Sequence, residues 1–128
     1  MARGGRQEKV KVGYPRRGEI YLVDFDPARG HEIKKTRPAL IIQNDVGNQY
    51  SSTTIVAAIT SRMTDRPYPV EVLLEAERTG LKVRSTVRLD QIRSIDKERL
   101  RRYLGVVDKA TIRLVDQAIQ ISLGLVEV

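Results

Sequence analysis

Apolar positions in this chain come in short bursts separated by polar stretches bearing Gly and Pro. Glu19 to Asp24 alternates and carries Ile20, Tyr21, Leu22 and Val23, the residue types of a strand. Ala39 to Gln43 is a short apolar run, and Pro38 fits at its start, where no ladder donor is needed. Thr53 to Thr60 is β-branched and apolar and predicts a central strand. Between these two lies Asn44 to Ser52, polar and rich in turn residues, read as a loop. Pro67 and Pro69 bound a second loop, after which Val70 to Leu74 alternates. Arg84 to Leu89 and Gln91 to Ile95 predict two further strands with a turn or bulge at Asp90. Asp96 caps a short helical turn through Leu100, and Tyr103 to Val107 makes a last short strand. One segment has a helical period: after Asp108 as cap, Lys109 to about Leu123 places Ile112, Val115, Ala118, Ile119 and Ser122/Leu123 three and four apart. Gly124 marks its end. Many short strands and one terminal helix predict a mainly β fold with α, a small, strongly bent barrel or sandwich carrying a C-terminal helix.

With 128 residues the chain suits one domain around a single modest core. Residues 1–15 are small, basic and poorly patterned, a flexible N-terminal arm; 16–128 read as the folded domain. The formal charge is +7, and residues 1–37 hold ten Lys/Arg against five Asp/Glu. Such a surface attracts RNA, DNA or acidic protein segments. The absence of cysteine excludes disulfides, thiolate zinc sites and a Cys nucleophile. No apolar run reaches the ~20 residues of a membrane span. The charged N-terminus is followed by no apolar core, so it is not read as a signal peptide, and a cytoplasmic location is expected.

Chemistry concentrates in Asp26 to Arg37, a charged segment between two apolar strands that holds the single histidine, His31. Several sequence pieces around it stand in a telling order. They are Arg17-Gly18-Glu19-Ile20-Tyr21, Asp24 to Pro27 with Gly30-x-Glu32, Arg37-Pro38-Ala39, Gln43-Asn44-Asp45 and Ala57-Ala58-Ile59-Thr60. Asp90-Gln91-Ile92-Arg93 and a C-terminal Gln120-Ile121-Ser122-Leu123 follow. In this the chain resembles the MazF/PemK endoribonuclease toxins of bacterial toxin–antitoxin pairs, over nearly all of Arg16 to the end. The resemblance implies an SH3-like small β-barrel with a C-terminal helix, pairing into homodimers, and metal-independent cleavage of single-stranded RNA. It also implies an acidic, partly disordered cognate antitoxin.

RNA can be cut by its own 2′-hydroxyl, given a base, an acid for the 5′-oxygen and donors for the charge on the phosphoryl oxygens. Two histidines cannot share that work here. Arg37, which the resemblance marks as essential, offers a planar fork matched to phosphate oxygens; as a guanidinium it is a poor base. A salt bridge to Glu32 or Glu19 is the alternative. Thr60 closes an apolar run, so its hydroxyl can emerge at a strand end and donate to phosphate; a backbone hydrogen bond is the alternative. Glu32 is a candidate base or an orienter of Arg37. His31 replaces the small polar residue of many relatives and can shuttle protons, stack on a base or lie in solvent. Arg29, Lys34, Lys35, Ser61 and Arg62 suit RNA positioning; Gln43, Asn44 and Gln49 can read base edges, and Tyr50 can stack. Asp24, Asp26, Glu32 and Asp45 give at most a fragment of a metal site, so neither metal nor cofactor is expected. The alternative function is a non-enzymatic toxin on the same barrel, like those that poison DNA gyrase by protein contact.

Overall fold

A computed structural model describes residues 13–25, 36–63 and 69–127. Six antiparallel strands form one bent sheet: β1 (Glu19–Asp24), β2 (Thr36–Ile41), β3 (Thr53–Thr60), β4 (Glu71–Leu74), β5 (Ser85–Asp96) and β6 (Leu100–Val106), in the order β4-β5-β3-β2-β1-β6. A short helix α1 (Asp45–Tyr50) joins β2 to β3, a single 3-10 turn spans Lys97–Arg99, and helix α2 (Lys109–Ser122) ends the domain. The fold is therefore the expected one, mainly β with a C-terminal helix.

Strand alternation sends side chains to two apolar clusters, one on each face of the sheet. On one face Ile20, Leu40, Ala57, Ile59, Val87 and Leu89 pack with Val115 and Ala118 of α2. On the other, Tyr21, Val23, Phe25, Ala39, Ile41, Val56, Ile95 and Leu100 form the second cluster. Buried Tyr21 meets Tyr103 edge-on at 5.6 Å between centroids and donates to Glu19 Oε1 at 3.2 Å. Burial, then the Glu19 carboxylate, push its phenol well above the ordinary value, so it stays a donor.

The sheet is closed by backbone rather than by a strand pair. After β4 the chain turns through Arg78, in the left-handed region at φ 70°, and Gly80 at φ 75°. That turn lies on β6: a Cβ on Gly80 would stand 2.0 Å from Leu104 O, and one on Gly105 would stand 2.6 Å from Arg78 O. Only glycine permits so close an approach.

Several boundaries differ from those the sequence predicts. Residues 45–50, read as loop, are helical; β2 starts at Thr36 rather than Ala39; and β6 starts at Leu100 rather than Tyr103. The two strands expected around Asp90 are one strand, β5, whose register against β3 shifts between the Ala57↔Ile92 and Ala58↔Arg88 pairs, as a bulge does. In α2, Val115 and Ala118 are buried as the spacing implies, but Leu123 is 61% exposed and falls outside the apolar stripe.

Candidate active site at one end of the sheet

β2 and β3 pair antiparallel through Ala39↔Ala58, Leu40↔Ala57 and Ile41↔Val56. Arg37 and Thr60 each stand two residues beyond the Ala39↔Ala58 pair. They lie at the same end of the sheet and, by the two-residue period, on the same face. Arg37 is exposed, and across β1 it is opposite buried Val23. Thr60 is half-buried, and its Oγ1 accepts the Arg62 N–H at 3.1 Å, a turn that ends β3 and brings Ser61 and Arg62 to the same place. A hydroxyl has two lone pairs and one hydrogen, so this bond leaves the hydrogen for an outside acceptor. Among the described residues no carboxylate pairs with Arg37; Glu19, weighed as its partner, is buried and accepts from Arg16 N at 2.8 Å as well as from Tyr21.

The neighbourhood is cationic and anchored. Arg93 Nη2 donates to Phe25 O at 3.2 Å with its guanidinium 5.2 Å from the centre of the Phe25 ring. Arg99 Nη1 donates to Asp24 O at 3.0 Å, and Arg101 Nη2 pairs with Asp24 Oδ2 at 3.0 Å. Three arginines, from β5, the 3-10 turn and β6, thus fix the end of β1 next to Arg37. Arg88, opposite Ala58, is held by both oxygens of Asp90, at 3.1 and 2.9 Å, and by Glu71 at 3.4 Å. That bond to Arg88 holds the Asp90 carboxyl below the usual carboxylate range.

Of the other candidates, Arg29, His31, Glu32, Lys34 and Lys35 lie outside the described residues, as does Asp26. Gln43, Asn44, Gln49 and Tyr50 belong to the opposite end of β2 and β3. From Arg37 to Gln43 is six residues of mostly extended chain, roughly 20 Å at about 3.3 Å each. Two of them serve the frame: the Asn44 side chain caps α1 by accepting Gly47 N–H at 2.7 Å, and Gln43 Nε2 donates to Asn48 Oδ1 at 3.0 Å and Thr53 O at 3.1 Å. Gln49 is exposed and Tyr50 is 78% exposed. No cluster of three or more His, Cys, Asp or Glu suited to a metal ion occurs among the described residues. The sequence reading assigned no role to Thr86, which stands opposite Thr60 across β3 and β5, or to Met63, whose sulfur accepts from Thr86 Oγ1 at 3.4 Å. Thr86 comes to this sheet end through cross-strand register, which local sequence patterns do not carry, and Met63 through its hydrogen bond to Thr86.

Six antiparallel strands, brought round by the Arg78–Gly80 turn and carrying a terminal helix, define the class of small barrel-like β folds. The chain belongs to one family with that fold: residues 16–123 match the PemK-like, MazF-like toxin of type II toxin–antitoxin systems. Solved structures agree over almost their whole length. A mycobacterial endoribonuclease in complex with its cognate antitoxin is 28% identical, with TM-score 0.72 over 89% of this chain and 99% of that one. A MazE–MazF structure from Deinococcus radiodurans is 28% identical, with TM-score 0.75 over 88% and 98%. A Mycobacterium tuberculosis MazF toxin is 26% identical, with TM-score 0.72 over 85% and 99%. No helix among the described residues is long and apolar enough to cross a membrane.

Proposed function

We propose that this protein is a sequence-selective endoribonuclease that cuts single-stranded RNA without a metal ion, as the toxin of a toxin–antitoxin pair. The observation that carries the reading is the presence of the Arg37 guanidinium and the Thr60 hydroxyl on one face at one sheet end. The 2′-hydroxyl loses its proton and attacks the adjacent phosphorus; the bond to the 5′-oxygen breaks, and that oxygen takes up a proton. Products carry a 2′,3′-cyclic phosphate and a 5′-hydroxyl. Arg37 stabilises the charge that builds on the phosphoryl oxygens, with protonation of the leaving oxygen as a second role. Thr60, its oxygen already accepting from Arg62 N, donates its hydrogen to a phosphoryl oxygen. Glu32 is the candidate base or orients Arg37, and His31 is the second group able to move a proton near neutral pH. Ser61 and Arg62, with Arg29, Lys34 and Lys35, position the strand. Unpaired bases are needed because paired ones cannot be splayed out for reading.

The experiment is cleavage of labelled single-stranded RNA in EDTA, with both new ends mapped. Arg37→Ala is expected to lose about 10³-fold in rate, and Thr60→Ala about 10²-fold, with folding unchanged. Normal cutting by Arg37→Ala removes the assigned centre. Intact RNA across many sequences, together with blocked DNA supercoiling by gyrase, would move the protein to the non-enzymatic class. The acidic antitoxin is expected to fold along the Arg37 region and compete with RNA.

A further inference from the structure

We infer that Met63 is an oxidation site, taken by peroxide-class oxidants, through which conversion of its thioether to the sulfoxide slows RNA cleavage. The inference rests on the nuclease reading above and concerns the same sheet end. Three observations carry it. Met63 is 46% exposed, so its side chain is open to an oxidant in solvent. That sulfur accepts a hydrogen bond from Thr86 Oγ1 at 3.4 Å, and Thr86, itself only 7% exposed, stands directly opposite Thr60. The chain contains no cysteine and only one other methionine, Met1, so oxidants have few other sulfurs to consume them.

The step balances with hydrogen peroxide. A sulfur lone pair attacks one peroxide oxygen, the O–O bond breaks as the S–O bond forms, and water leaves. Sulfur is oxidised by two electrons and peroxide is reduced. The product differs from the thioether in what matters here. Its oxygen carries partial negative charge and accepts hydrogen bonds far better than sulfur does. The Thr86 hydroxyl, already aimed at this side chain, holds that oxygen in place. The result is a fixed negative dipole one strand away from the hydroxyl proposed to meet a phosphate, and the loss of an apolar surface at the same edge.

The test treats purified protein with hydrogen peroxide, follows the peptide containing residue 63 by mass spectrometry, and measures kcat/KM on a labelled single-stranded RNA. One added oxygen at Met63 is expected, with kcat/KM down about tenfold, equivalent to ~1.4 kcal/mol; methionine sulfoxide reductase should reverse both. Met63→Leu should show no peroxide response relative to its own untreated rate. Met63→Gln, polar like the sulfoxide, should be slow before any treatment. The inference is overturned by Met63 remaining reduced while free methionine oxidises, by full oxidation with unchanged kcat/KM, or by Met63→Leu losing as much to peroxide as the natural chain. If untreated protein cuts no RNA, the nuclease reading falls and takes the inference with it; cutting that ignores complete oxidation sinks the inference alone.

Discussion

Asn48 is fully buried and every polar atom of its amide is matched. Nδ2 donates to Gln43 O at 2.9 Å and Asp45 Oδ1 at 3.1 Å; Oδ1 accepts from Gln43 Nε2 at 3.0 Å and Thr54 Oγ1 at 2.7 Å. Its carbonyl oxygen also accepts from Lys97 Nζ. Buried polar groups left without partners are costly, so Asn48→Leu should destabilise by about 3 kcal/mol in a urea melt through stranded Gln43 and Thr54 atoms. Cleavage by the protein that stays folded should be little changed, since Arg37 lies at the other sheet end. Asp90 makes a second prediction. Its pKa is lowered in the folded state by Arg88, so its contribution is present above the unfolded carboxylate pKa of ~3.9 and is lost as pH falls through the lower folded value. Asp90→Asn should therefore lose stability near neutral pH, by less than about 1 kcal/mol because both partners are part exposed, and differ less from the natural chain at strongly acid pH. An equal deficit at both pH values would contradict the assignment.

The turn at Arg78–Gly80 and the strand at Gly105 touch backbone to backbone, which makes this contact intolerant of any side chain. Gly105→Ala should cost about 3 kcal/mol, read as a lower urea midpoint, because the new Cβ meets main-chain atoms that cannot rotate away. Gly124→Ala offers a contrast: a Cβ there meets nothing within 4 Å, and only its φ of +76° resists. Strands rich in β-branched and apolar residues, Glu19–Asp24 and Thr53–Thr60, were legible to the residue, as was the Asp108 cap of α2, whose side chain accepts from Thr111 N at 2.8 Å. Helix α1 was not. Gly47 and Asn48 are poor helix formers, and besides its local Asn44 cap the helix stands on the buried Asn48 network, whose bonds to Gln43, Thr54 and Lys97 lie outside it. At the site, Arg37 and Thr60 were legible because local motifs carry them. Thr86 was not, because a three-residue register shift in β5 decides what faces Thr60, and Met63 enters only through its hydrogen bond to Thr86.

At the scale of the whole molecule, charge and pairing set expectations. If phosphate contacts dominate RNA affinity, KM should rise steeply with salt while the cleavage position stays fixed. Sedimentation at micromolar concentration should give a homodimer; the exposed Leu114 and Leu123 of the α2 region supply apolar surface for it, and a monomer would remove the idea. One feature of the topology bears on how the cell makes such a molecule. β1 gains its second neighbour only from β6, with Tyr21 paired to Tyr103 far along the chain. A nascent polypeptide that has not yet released that segment from the ribosome lacks a finished sheet, and contacts so distant in sequence form slowly. Whatever the folded sheet end does is thereby withheld until β6 is free to dock on β1.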